Sequence, residues 1–156
     1  MIYFKTKSDL QFMEEFKANV LRLFEMKAEV KKNFKPSVYI MGKDYHDAVL
    51  NKATESNEGK ILREKLAQEI PKAIEIAYRN GVSIDYKSLP APAIGGAIIP
   101  VNIFYAILED TSYDGIDERW IVDKINETIG QLKRRLQNKY FKLINPFFGF
   151  ISFLFL

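Results

Sequence analysis

GIDERWIVDKINETIGQLKRRLQNKYFKLIN, residues 115–145, places Ile121, Ile125, Ile129, Leu132, Leu136, Tyr140 and Leu143 at steps of four, four, three, four, four and three. That spacing puts one apolar seam along a helix of 3.6 residues per turn, with polar residues on the other faces. Asp117 stands where an N-cap belongs, with Ile116 and Ile121 at the positions of a hydrophobic staple. Acids sit at the start of the stretch and bases toward its end, the order that the helix dipole favours. From Asp117 to Ile144 such a helix is about 40 Å long. The pair Asn145-Pro146 predicts its end, because the residue before a proline is pushed out of the α region.

Two more helices follow from the same period. SDLQFMEEFKANVLRLFEMKAEVKKNF predicts a helix over 8–34, with Leu10, Met13, Phe16, Val20, Phe24 and Val30 on one face and Ser8 with Gln11 as a capping box. In ESNEGKILREKLAQEIPKAIEIAYRNG, Ile61, Leu62, Leu66, Ile70, Ile74 and Tyr78 recur helically and Asn80-Gly81 offers a C-cap. Pro71 inside that run is expected to bend the helix or divide it. Asp44 to Ala53 reads as a short helix. Ile2 to Phe4, Val38 to Ile40 and Val82 to Tyr86 read as minor strands.

The fold class expected is mainly α: a compact bundle of four to five helices with a long C-terminal helix and at most a minor β element. It is divided into a helical domain, 1–144, and an apolar C-terminal tail, 145–156. A chain of 156 residues buries roughly two-thirds of its unfolded surface in one core, so no staple is required. The hydrophobic fraction of 47% with 28% charged residues excludes a disordered chain. Cysteine is absent, which removes disulfides, thiol nucleophiles and Cys-based metal sites. The N-terminus meets charge at Lys5 and so lacks the apolar core of a signal peptide; the expected location is the cytoplasm.

Residues 88–108, SLPAPAIGGAIIPVNIFYAIL, carry no charge over twenty-one positions. Pro90, Pro92, Gly95, Gly96 and Pro100 argue against a membrane span, since they leave backbone groups without partners in lipid. The reading preferred is a buried irregular segment leading into a helix that begins near Pro100. Gly95 and Gly96 are a weak anion or ligand site, weighed against close backbone packing of an apolar loop.

Enzyme signatures are mostly missing. His46 is the single histidine, so two-histidine metal sites are impossible, and no phosphate loop, dinucleotide fingerprint or nucleophile elbow occurs. His46 between Asp44 and Asp47 has the surroundings of a general base, against the plainer reading of an exposed histidine beside acids. In EDTSYDGIDERWI, residues 109–121, Asp110, Ser112, Asp114 and Glu118 fall at positions 1, 3, 5 and 9 of a calcium loop, with Gly115 at position 6. Position 12 is Ile121 in place of the bidentate Glu, so an acidic turn capped by Asp117 competes with a Ca²⁺ site. No other cofactor is expected.

The remaining feature is charge order. From Gln131 onward there are five bases, Lys133, Arg134, Arg135, Lys139 and Lys142, and no acid. After Pro146 come Phe147, Phe148, Phe150, Ile151, Phe153, Leu154, Phe155 and Leu156 without any charge. Bases followed by an uncharged aromatic run form a membrane-proximal layout. Ten residues of helix measure about 15 Å, half the hydrocarbon thickness, so docking is expected rather than crossing. The expected function is a small non-catalytic helical protein held peripherally at a membrane within a larger assembly. The alternative is a soluble interaction subunit, homo-oligomer or adaptor, whose tail is covered by protein; nucleic acid is disfavoured because the basic cluster is short. A third reading is an enzyme or effector with a pocket near residues 89–118.

Overall fold

A computed structural model describes residues 2–33, 43–88, 99–109 and 117–155. Four α-helices dominate: α1 (Ile2–Asn33), α2 (Lys43–Ala53), α3 (Asn57–Arg79) and α4 (Glu118–Phe155). Between α3 and α4 lie a two-stranded antiparallel hairpin, β1 (Asp85–Ser88) with β2 (Ile99–Asn102), and a 3-10 helix, Ile103–Ile107. The mainly helical bundle expected from the period is what forms.

Helix α1 is central and touches α2, α3 and α4. Its Met13, Phe16, Val20 and Leu23 are completely withdrawn from solvent. Around them close Leu66, Ile70, Ala73, Ile76 and Ala77 of α3, and Ile121, Ile125, Ile129 and Leu132 of α4. The 3-10 helix adds Ile103, Phe104 and Ile107, with the Phe104 ring meeting Phe16 edge-on at 5.8 Å, a favoured aromatic geometry.

Polar contacts fix the directions. Lys72 of α3 stands 4.5 Å over the Phe12 ring, Asn19 Nδ2 donates to Glu69 at 3.0 Å, and the Arg22 guanidinium donates to Glu58 at 3.1 Å. Rising numbers on α1 meet falling numbers on α3, so these helices are antiparallel. Lys27 in the second half of α1 pairs with Glu118 at the start of α4 at 3.1 Å, while Asp9 pairs with Arg79, whose carbonyl Arg135 reaches. Helix α4 is therefore antiparallel to α1 as well.

Several expectations are corrected. Helix α1 starts at Ile2 and Ser8 lies within it, exposed, so neither the strand at Ile2–Phe4 nor the capping box forms. The buried positions Thr6, Asp9 and Met13 continue the helical step backward, and two of them are polar, which hides the period from a hydropathy reading. Pro71 does not divide α3. It is exposed, a proline φ suits a helix, and the carbonyl it leaves without a donor belongs to Ala67, which is exposed to solvent. Pro100 lies in β2 opposite Lys87 rather than opening a helix. In a two-stranded hairpin each strand is an edge, where a missing N–H is tolerated. The expected strand near Val82 is displaced to Asp85–Ser88, and Val38 to Ile40 lie outside the described residues.

The C-cap of α3 forms as its sequence predicts. Gly81 takes φ 71°, Val82 N–H donates to Ala77 at 3.0 Å, and Gly81 N–H donates to Tyr78 at 3.0 Å, the paired bonds of a Schellman motif. At the other end, the Ser56 hydroxyl oxygen accepts from Gly59 N–H at 3.0 Å as N-cap. Gly59 itself presses on α2: a Cβ there stands 2.6 Å from Thr54 Cα and 2.9 Å from the Ala53 carbonyl oxygen.

Two predictions follow from this packing. Gly59→Ala forces a carbon against backbone that cannot rotate away, a cost of about 1–3 kcal/mol that outweighs the ~1 kcal/mol gain in helix propensity. Thermal unfolding should show a lower Tm, and a raised Tm contradicts the close approach. Burial pushes the Glu69 carboxyl above its ordinary range, against the Asn19 amide and Lys65, which favour the ion. A carboxyl raised on folding stabilises when protonated, and that stability is lost as pH rises through the folded pKa. Glu69→Gln is therefore expected to match or exceed the parent in Tm at pH 7, with the difference closing below the ordinary Glu range.

Candidate interaction site

The basic and uncharged segments predicted from the sequence both belong to α4. The buried seam of that helix runs through Ile121, Ile125, Thr128, Ile129 and Leu132, with the Thr128 hydroxyl donating to the Lys124 carbonyl at 2.9 Å. Asp117 Oδ1 accepts from Arg119 N–H at 3.0 Å, as an N-cap does. Beyond Leu132 the described side chains are half-buried (Leu136) or exposed (Lys133, Arg134, Arg135, Gln137, Asn138). Leu132 is the last described residue of α4 that the core holds.

The three adjacent bases divide by role. Lys133 and Arg134 are exposed, and no acid among the described residues pairs with them. Arg135 donates from Nη2 to the Arg79 carbonyl in the last turn of α3 at 2.9 Å, a cation at the negative end of a helix dipole. Arg79 in turn pairs with buried Asp9 at 3.4 Å and with Glu75 at 3.7 Å. Arg135 thus ties α4 to the α3 terminus and, through Arg79, to α1.

The helix was expected to stop at Asn145-Pro146; instead α4 runs without interruption to Phe155. Proline in a helix interior removes one hydrogen bond and costs about 3 kcal/mol, but its φ near −65° remains helical. Lys139, Lys142, Phe147, Phe148, Phe150, Ile151, Phe153, Leu154 and Phe155 are thereby carried on the same helix as Ile121; their side chains, and Leu156, lie outside the described residues. Among the described residues, no helix is long and apolar enough to cross a membrane.

Of the calcium-loop candidates, Asp110, Ser112 and Asp114 lie outside the described residues, as do Gly95 and Gly96. Glu118 opens α4 and pairs with Lys27 at 3.1 Å. Among the described residues no group of three or more acids and histidine is placed to hold a metal ion. His46 lies half-buried on α2 with the Tyr45 ring edge-on at 5.6 Å.

Two features escaped the sequence reading. Tyr78 Oη donates to Asp85 Oδ1 at 2.6 Å and accepts from Asn102 Nδ2 at 3.1 Å, pinning the hairpin to α3. The hydrogen bond to Asp85 raises the phenol's pKa, so this tyrosine holds its proton and serves as a clasp. A groove of about 470 Å³ opens where α1 passes the α2–α3 junction, with Met26, Val30 and Ala53 in its wall and Arg22 at its edge, bound to Glu58 and Glu25. Neither carries a periodic signal, because each joins residues far apart in the chain. Comparisons with known protein families, curated proteins and solved structures find no match.

The division among the bases is testable by chemical denaturation. Arg135→Ala should lower unfolding free energy by about 1 kcal/mol, the typical worth of such a bond. Lys133→Ala and Arg134→Ala should each stay within about 0.5 kcal/mol of the parent, as exposed unpaired residues do. Equal losses at all three positions contradict the assignment.

Proposed function

We propose that this chain is a small, non-catalytic helical protein that attaches to the cytoplasmic face of a membrane through the second half of α4, within a larger assembly. The observation that carries the reading is the unbroken course of α4 from Glu118 to Phe155. One helix joins the packed core, the exposed bases and the uncharged end, so whatever holds the end also holds the bundle. Each base near an anionic leaflet contributes about 1 kcal/mol, and each fully buried Phe about 1.5–3 kcal/mol. The cysteine-free composition suits a reducing compartment.

A second reading has its own support. Leu136, Leu143, Phe147, Phe150 and Leu154 follow the register of the buried seam at steps of seven, four, three and four, the repeat of a helix that packs along another helix. In that reading the end is covered by a second copy or a protein partner.

Flotation of the full chain with vesicles, beside a Phe150→Asp/Leu154→Asp variant, separates the two. Attachment predicts that the parent floats and the variant stays in the soluble fraction with unchanged Tm. Equal recovery of both in the soluble fraction contradicts attachment. A defined dimer by light scattering without detergent, converted to monomer by the same substitutions, supports the second reading.

A further inference from the structure

The distribution of charge around α4, rather than along it, says how a helix of this kind meets a bilayer. An amphipathic helix lying in the plane of a membrane has one apolar face and a strongly charged opposite face. At about 100° per residue, Lys133, Arg134 and Arg135 spread over about 200° of the circumference, Lys139 and Lys142 return to the side of Arg135, and Leu132, Leu136 and Leu143 hold the remaining arc. Past Pro146 the register places Phe147, Phe148, Phe150, Ile151, Phe153, Leu154 and Phe155 around most of the circumference, with uncharged Gly149 and Ser152 on the remaining arc. No side of this end offers a charged face to water. A helix apolar on nearly every side calls for surroundings that enclose it.

Resting on the membrane reading above, we propose that α4 enters an anionic phospholipid leaflet end-on, tip first, with Lys142 and Lys139 at the headgroups. The lengths agree. Phe147 to Phe155 is nine residues, about 14 Å of helix, against about 15 Å for the hydrocarbon of one leaflet. Lys142 lies about 7 Å short of Phe147 along the axis, within the headgroup layer, and Lys139 about one turn further back. Lys133 and Arg134, exposed and without acid partners among the described residues, sit about 20 Å back. At that distance, beyond the roughly 8–10 Å over which the surface potential decays, they add little to attachment. Arg135, committed to the Arg79 carbonyl, couples the entering helix to the bundle.

The chain lacks cysteine, so single cysteines report without background. Replacing each residue from Phe147 to Leu154 in turn by Cys in the full chain, and labelling with an environment-sensitive fluorophore, allows depth-dependent quenching by spin-labelled lipids. The vesicles are phosphatidylcholine with phosphatidylserine, beside phosphatidylcholine alone. End-on entry predicts depth that increases steadily with residue number, by about 1.5 Å per residue, and binding lost without phosphatidylserine or in Lys139→Glu/Lys142→Glu. Depth that oscillates with a period near 3.6 residues overturns end-on entry while leaving attachment intact. Equal binding to both vesicles overturns the anionic selectivity. No binding to either overturns this inference and the membrane reading together.

Discussion

The apolar stripe Met13, Phe16, Val20 and Leu23 on α1, withdrawn entirely from water, is the constraint on which the other elements depend. At about 1.5–3 kcal/mol for each buried side chain, exposing it outweighs any single polar contact in the molecule. Helices α3 and α4 run antiparallel to α1 so that their own seams cover it, and the 3-10 helix contributes Phe104 against Phe16. The ion pairs and amide contacts along these seams, Lys27 with Glu118, Asn19 with Glu69 and Asp9 with Arg79, select register at modest energetic return.

That stripe also sets where α4 ceases to be needed by the core. Among the described residues of α4 the core holds none beyond Leu132, and the helix continues to Phe155. Arg135 marks the boundary, with its guanidinium on the α3 terminus and Lys133 and Arg134 beside it, without an acid partner among the described residues. The proposed attachment takes its physical basis from the continuity of α4 and from the order of bases and uncharged residues along it.

Elements built from uninterrupted apolar periods were legible in the sequence. The α4 seam and the Schellman end of α3 at Asn80-Gly81 are local, and each residue supports the same answer. Reading failed where a polar residue occupies a buried position or a proline sits where its missing N–H is harmless. Thr6 and Asp9 conceal the first turns of α1, because Asp9 is buried by virtue of Arg79, seventy residues away in the chain. Pro71 predicts a bend or division, Pro100 the start of a helix and Pro146 the end of one, yet α3 runs through Pro71, Pro100 lies within β2 and α4 runs through Pro146. The basic cluster of the candidate site was visible, but the separation of Arg135 from Lys133 and Arg134 depends on a carbonyl that only folding brings near. The Tyr78 clasp on Asp85 and Asn102 was invisible for the same reason.

Continuity of α4 through Asn145-Pro146 is the claim that joins core, bases and tail, and a distance between two spin labels addresses it directly. Gln137 is exposed and Ser152 follows the proline on the same helix, so labels at Gln137→Cys and Ser152→Cys bracket the junction and leave every base in place. Measured by pulsed electron paramagnetic resonance on vesicles containing phosphatidylserine, one helix predicts a single narrow distribution near 22 Å between backbones, from about 1.5 Å per residue. A broad distribution, or one centred well below that distance, shows a break at Pro146 and contradicts the account.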